Sequence, residues 1–318
     1  IKFTGIPQGF FATNPSAPMQ QGNRVVMAVR EQRDPQLRAQ GSAAPGLSQV
    51  GLYVATVPLD LEKSTFAHHS TLLASGRSWS EDPFLVRLNG ALYLGAVTVK
   101  LENRGNFNVV TGYQTNVYLL SEGGTKIAAK VASGPMVMKD LRLFQMPMGR
   151  IGVLTRPKGR VNGEEFGNGD IRFTTVARID DVTPATVMAA NVLLRPDDVV
   201  DAIPALRPYL PDVWIGANDV VANDDESFTV YAHFGTKGPY GAIRFRFDAK
   251  NFDVDHRCDC VSNVEIVATS EDFPNVEAGP IRPDTVFAGG ALRQGAYYFV
   301  SCGLNDFRAG LVRVTEDS

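Results

Sequence analysis

Trp79-Ser80-Glu81-Asp82-Pro83 runs straight into Phe84-Leu85-Val86-Arg87-Leu88-Asn89-Gly90-Ala91-Leu92-Tyr93, and the reading of this stretch decides the fold. Asn89-Gly90 between two apolar runs is the strongest two-residue hairpin signal, because both residues accept the positive φ that a tight β turn demands. Asp82-Pro83 marks the mouth of the first strand. Polar residues stand at comparable mouths along the chain: Asn14-Pro15, Asp82-Pro83, Lys139-Asp140, Asn218-Asp219 and Asp284. Taken at positions 14, 82, 140, 219 and 284, the steps are 68, 58, 79 and 65 residues. Such a step accommodates about four strands of ~6 residues with their turns. Small antiparallel sheets repeating at this period predict an all-β, five-bladed β-propeller over residues 1–318 as a single domain. In that architecture the starts of the five first strands converge on one end of an axial channel.

The rest of the chain agrees with strands. Runs over 24–29, 48–57, 114–120, 126–132, 141–146, 151–155, 170–178, 228–234, 242–247, 288–292, 297–301 and 310–314 are short, apolar or alternating, and parted by turn residues. Two helices are expected, over 183–193 and 199–206, with Pro184 and Pro204 limiting them. The polar, Gly/Ala-rich segment 33–45 reads as a long surface loop.

Composition removes several function classes. Across 318 residues, 44% are hydrophobic and 20% charged, which excludes a disordered chain. A formal net charge of −3 offers no electrostatic footprint for nucleic acid or an anionic membrane. No apolar stretch approaches the ~18 residues that span a bilayer, and residues 1–12 lack the basic and apolar regions of a secretory signal. A cytoplasmic location is the expectation. No Met opens the chain, and that expectation covers the residues from Ile1 onward. Three cysteines make no disulfide framework. Cys258-Asp259-Cys260 with His256 nearby lacks a second ligand pair of matching spacing, so no metal is expected. Cys302 sits in an apolar strand and reads as core.

Set in order, the islands of sequence resemble the mannoside phosphorylases, a glycoside hydrolase family with a five-bladed propeller fold. Glu81-Asp82-Pro83-Phe84 with its Asn-Gly turn resembles the acidic motif of blade two. Lys139-Asp140-Leu141-Arg142-Leu143-Phe144 and Val153-Leu154-Thr155-Arg156-Pro157 resemble the phosphate-side motif of blade three. Trp214-Ile215-Gly216-Ala217-Asn218 with Val230-Tyr231-Ala232-His233-Phe234-Gly235 resembles blade four. Val286-Phe287-Ala288-Gly289-Gly290 with Ser301-Cys302-Gly303-Leu304-Asn305-Asp306 resembles blade five. More closely, the chain is similar to a little-characterised propeller family related to those enzymes.

The resemblance implies an enzyme that cleaves a glycosidic bond of a mannoside-like oligosaccharide by phosphorolysis or hydrolysis. Asp82 would be the general acid, and Asn14, Arg30 and Asp306 would hold the sugar, with Asp284 also placed at the channel. Lys139, Arg156 and His233 would bind phosphate, the co-substrate; no resident cofactor is implied. The chemistry is sound on its own terms, because a carboxylic acid crowded by other carboxyls in a narrow channel keeps its proton toward neutral pH. Trp79 could supply an aromatic face to the sugar. One stretch departs from the family: 219–226 is acidic where a lysine is usual, which counts against phosphate. Water as nucleophile would need a second carboxylate, with Asp140, Asp219 and Asp284 available.

Each residue also has a structural reading. Asp-Pro pairs initiate turns, Lys139-Asp140 could be a surface pair, His233 a satisfied core histidine, and Asp306 a loop cap. The alternative function is a glycan-binding propeller without catalysis. The partner expected in either case is a small oligosaccharide, with oligomeric state open.

Overall fold

Asn89 (φ 48°) and Gly90 (φ 84°) both adopt the left-handed conformation and join strands Ser78–Leu88 and Ala91–Asn103. In this computed structural model the meander continues through Asn108–Leu120, turns at Gly123 (φ 85°) and Gly124 (φ 72°), and ends in Ile127–Ser133. All neighbours in the sheet are antiparallel. That sheet is blade two. The structure describes residues 2–34, 48–60, 63–74, 78–103, 108–136, 138–157, 159–161, 164–166, 169–252, 260–273 and 284–315.

Four further sheets repeat the unit, giving a five-bladed β-propeller. Blade one is Phe10–Pro15, Arg24–Arg33, Ser48–Thr56 and Thr65–Leu73, with Lys2–Thr4 laid in parallel along its outer edge. Blade three is Lys139–Gln145, Ile151–Arg156, Ile171–Val176 and Asn191–Leu194. Blade four is Trp214–Ala222, Phe228–Gly235, Tyr240–Phe247 and Val261–Ala268. Blade five has three strands among the described residues, Val286–Gln294, Tyr297–Leu304 and Arg308–Thr315.

The apolar residues explain why the sheets stand around a common axis. They form five separate buried clusters, one in each gap between neighbouring blades. Leu52 and Leu94 meet between blades one and two, Val117 and Leu143 between two and three, and Phe173 and Phe245 between three and four. Ala242 and Val300 fill the gap between four and five, while Tyr53 and Phe299 close the ring between five and one. A sheet buried on both faces needs apolar side chains on both, and each buried Val, Leu or Phe contributes about 1.5–3 kcal/mol.

Closure uses side chains as well as packing. The Thr13 hydroxyl donates to Arg308 O at 3.1 Å, and the Ser301 hydroxyl to Ser16 O at 2.8 Å. The rings of Phe11 and Phe307 meet at 4.4 Å between centroids.

The helices differ from expectation. The first is confined to Pro184–Met188, with the Thr183 hydroxyl capping the N–H of Thr186, and Asn191–Leu194 is instead the outer strand of blade three. Pairing against Ile171–Val176 captures Val192 and its neighbours, an outcome that local propensity does not foresee. The second runs over Pro196–Ala202, three residues earlier than expected. Proline is suited to a first helical turn, whose N–H groups have no partner in any case. Pro204 then begins a 3₁₀ segment, Pro204–Tyr209. Most of 33–45, and His256 with Cys258, lie outside the described residues; Cys260 and Cys302 are buried.

Candidate active site

Every innermost strand breaks register once against its neighbour. The shifts fall between Thr13 and Pro15, Glu81 and Phe84, Lys139 and Arg142, Ala217 and Asp219, and Ala288 and Gly290. They are β-bulges, which bend a strand and re-aim its side chains. The residues thrown out of the ladder include Asn14, Asp82, Asp140, Asn218 and Gly289. Asn14 (φ 42°), Asp82 (φ 47°) and Asp140 (φ 56°) are left-handed, a conformation that Asn and Asp tolerate better than other side chains. Pro83, with no N–H to offer the ladder, fits within such a break.

The repeat is therefore a repeat of bulges, and two of its members differ from expectation. Asn218, not Asp219, is the fourth; Gly289, not Asp284, is the fifth. Asp284 is exposed and lines a cavity of about 950 Å³ with Trp214 and Tyr240. The Asp219 carboxylate turns into the seam between blades four and five, where it accepts the N–H of Ala291 at 3.0 Å. A Cβ on Gly290 would stand 2.5 Å from Asp219 Cβ, so the seam is tight there.

The bulge in blade two has a direct chemical result. Neighbours in a regular strand point to opposite faces, yet Glu81 and Asp82 address the same two cations. Arg30 lies 3.1 Å from Glu81 Oε1 and 3.9 Å from Asp82 Oδ1. Lys139 lies 2.8 Å from Glu81 Oε2 and 3.9 Å from Asp82 Oδ2. The Trp79 indole N–H donates to Glu81 at 2.9 Å, so this ring is a support for the carboxylate. Asn14 completes the group by donating to Asp82 Oδ1 at 3.4 Å and to Asp306 Oδ1 at 3.2 Å.

A second group adjoins it. Asp140 Oδ2 is 2.6 Å from Arg156 Nε and 3.7 Å from His233 Nε2. His233 Nδ1 is 2.7 Å from the Asn218 side chain, and its ring stacks on Tyr240. Below them Arg142, 2% exposed, donates to the carbonyls of Asn218 and Leu141 and lies over the Phe84 ring. Gly216 makes room for the pair: a Cβ there would stand 2.5 Å from Asp140 Oδ2 and 2.6 Å from the His233 ring.

The carboxyls at the two groups are driven apart. Burial raises Asp82, aided by Glu81 and Asp140, against the pull of Lys139 and Arg30. Burial also opposes ionisation of Asp140, but Arg156, then His233, Arg142 and Lys139, hold it below the usual range. Glu81 is buried too, yet Arg30 and Lys139 bring it down to about 2. Lys139 resists its burial through Glu81 and Asp82 and rises to about 12. Burial, with the cations Arg156, Arg142 and Lys139, pushes His233 down to about 3, so it is neutral. One buried acid is thus pushed toward holding its proton while its neighbours are pulled the other way, the pattern of an acid poised for proton transfer.

Asn14, Arg30, Asp82, Lys139, Asp140, Arg156, His233 and Asp306 are brought to one end of the propeller, where innermost strands begin and second strands end. Glu81, Asn218, Arg142 and Gly289 stand within the sequence motifs but have no site role in the sequence reading. Glu81 was in plain view beside Asp82; only the bulge that turns it toward Arg30 was hidden. The acidic stretch beyond Asp219 lies at the other end of blade four, in a hairpin tip. There Asp224 pairs with Arg293, Asp225 with Arg246 and Glu226 with Lys250.

Fold and site define a five-bladed β-propeller with acidic and basic side chains gathered around one end of its axis. The chain belongs to the family described as "Protein of unknown function (DUF1861)", whose model matches residues 48–317. Solved structures share the fold over nearly the whole chain. A mannose phosphorylase from Leishmania mexicana, MPT-4, in complex with phosphate ion, superposes with a TM-score of 0.74 at 19% identity, covering 99% of this chain and 87% of its own. MPT-1, a GDP-Man-dependent mannosyltransferase from the same organism, gives 0.71 at 20%, covering 99% and 88%. The β-1,2-mannobiose phosphorylase from Listeria innocua gives 0.67 at 14%, covering 99% and 93%. The likeness to mannoside phosphorylases read from the sequence is thus a likeness of fold. No curated protein matches the chain. Among the described residues, no helix is long and apolar enough to cross a membrane.

Proposed function

We propose that this protein cleaves the glycosidic bond of a small mannoside-like oligosaccharide, with Asp82 as general acid and inorganic phosphate as the attacking group. Asp82 gives its proton to the glycosidic oxygen as the C1–O bond breaks, and a phosphate oxygen forms the new bond to C1. The products are a sugar 1-phosphate and the shortened glycan, with Asp82 left as a carboxylate between Arg30 and Lys139. Asn14, Arg30 and Asp306 hold the sugar hydroxyls, a task suited to amides, guanidinium groups and carboxylates. Lys139, Arg156 and His233 receive the phosphate.

The observation that carries this reading is the environment of Asp82, a buried acid whose proton affinity burial raises although Arg30 and Lys139 both lie within 3.9 Å. Phosphate is favoured over water for two reasons. A hydrolytic base would have to be a second carboxylate with affinity for a proton; Asp140 is tied to Arg156 and held ionised, and Asp219, pushed up to about 6 by burial, is turned into the seam between blades four and five against the Ala291 N–H. The acidic residues Asp224–Glu226, which counted against phosphate, pair with surface cations away from the site. A panel of mannosides incubated with and without phosphate, read by product mass, tests the reaction. Free sugar as the product would replace phosphorolysis with hydrolysis.

One observation favours a glycan-binding protein without catalysis: Arg30, Lys139 and Arg156 already have carboxylate partners, which leaves less free positive charge for an anion. Saturable sugar binding that survives Asp82→Asn, with no product from the panel, would establish that reading.

A further inference from the structure

The Asn218 Nδ2 amide, buried beside His233, has no hydrogen-bond partner, while across the ring Asp140 Oδ2 is held by Arg156 Nε at 2.6 Å. Between them stands a histidine whose Nδ1 is 2.7 Å from Asn218 Oδ1 and whose Nε2 is 3.7 Å from Asp140 Oδ2. In that orientation Asn218 accepts from Nδ1–H, and the neutral ring turns an Nε2 lone pair toward a carboxylate oxygen. Two acceptors then face each other while an amide donor is idle. A half-turn of the Asn218 amide exchanges its oxygen and nitrogen without moving any other atom. Nδ2 then donates to His233 Nδ1, and the ring proton moves to Nε2, against Asp140. The buried donor is satisfied and the clash of lone pairs is gone. What is left over is a carbonyl oxygen, which interiors tolerate more readily than an orphaned N–H.

We infer that Asn218 is a positioning residue that donates to His233 Nδ1 and fixes this ring as the neutral Nε2–H tautomer. The hydrogen bond made by one ring nitrogen decides what the other presents. Asn218 is itself held from below, since Arg142 Nε donates to its backbone carbonyl at 2.8 Å. The groups facing His233 from the surrounding strands are Asp140, Arg156, Arg142 and Lys139, with Tyr240 stacked on one side and Phe287 against the ring. Burial, and three cations against the one carboxylate of Asp140, oppose a second proton on the ring, so the Nε2–H is its one donor. A neutral donor can hydrogen-bond an incoming oxyanion without surrendering a proton to it. That use rests on the reaction proposed above; the tautomer does not.

The test is long-range ¹H–¹⁵N correlation on protein labelled at histidine, with His233 assigned among the four histidines by its absence in His233→Gln. The wild type at neutral pH is expected to show a pyridine-type Nδ1 and a protonated Nε2. Asn218→Asp, whose carboxylate can only accept, is expected to move the proton to Nδ1. A wild-type spectrum with the proton on Nδ1, or with both nitrogens protonated, overturns the assignment, and so does an Asn218→Asp protein that keeps Nε2–H. Should that variant fail to fold, the wild-type spectrum decides alone. An Nε2–H tautomer in a protein that turns over no glycan would leave this inference standing and remove only the proposed reaction.

Discussion

Asn14 and Asp306, 292 positions apart, meet through a 3.2 Å hydrogen bond at the seam where the ring closes. The same Asn14 amide reaches Asp82 in the next blade. The candidate acid is therefore anchored to both ends of the chain, and the chemistry around it depends on closure of the propeller.

Asp82→Asn should separate activity from stability. Loss of the acid is expected to lower turnover by about 10²–10⁴-fold on any substrate found by the mannoside panel. The folded protein binds the Asp82 proton more tightly than the unfolded chain does. Below the ordinary carboxylate pKa both states carry that proton and there is no penalty. The penalty appears as pH rises past 3.8 and is complete above the raised native value. Asn carries no such penalty, so the variant should melt at a higher temperature than the wild type at pH 7, with the gap narrowing on acidification. Full turnover in Asp82→Asn would remove Asp82 as the acid.

Glu81→Gln should act in the opposite sense. Its carboxylate is held at about 2 in the native state against 4.5 unfolded, so its contribution is present above 4.5 and lost as pH falls through about 2. Removing the charge leaves Arg30 and Lys139 without the nearer of their two shared carboxyls, at a cost of about 3 kcal/mol at neutral pH. Denaturant unfolding of both proteins at pH 7 and near pH 3 measures the difference, which should shrink at the lower pH.

Inorganic phosphate should stabilise the protein if Lys139, Arg156 and His233 form its site. At ~100 times its dissociation constant, the gain expected from mass action is about 2.7 kcal/mol. Lys139→Ala and Arg156→Gln should abolish the rise in melting temperature, whereas Arg178→Gln, on the exposed surface, should leave it intact. Equal stabilisation of all four proteins would show that the anion binds elsewhere.

Gly216→Ala should be costly out of proportion to one methyl group. The new Cβ would stand 2.5 Å from Asp140 Oδ2 and 2.6 Å from the His233 ring, both buried with nowhere to retreat. Overpacking of this kind costs about 1–3 kcal/mol, and His233 should lose the environment that keeps it neutral. A histidine titration curve and a thermal melt of the variant read the two effects.

Periodicity and turn chemistry carried most of this fold into view before any coordinates. The Asn89-Gly90 hairpin, the double-sided apolar strands and the spacing of polar strand mouths are local properties, written in neighbours a few residues apart. Where several blades had to agree, local reading fell short. Asp219 and Asp284 are as good as Asn218 and Gly289 on spacing alone, and nothing local to the motif turns Glu81 to the same cations as Asp82.

The chain by itself determined that there would be five antiparallel sheets with apolar faces, because strand alternation and hairpin turns depend on short-range sterics and burial. Only the tertiary structure decided which polar residues share the axis. A bulge shifts a strand by one residue and so reverses which side chains face inward. Asp82 is pushed up by burial while Glu81, its neighbour in the chain, is pulled down by Arg30 and Lys139, cations contributed by the blades on either side. Those distances exist only once the ring has closed.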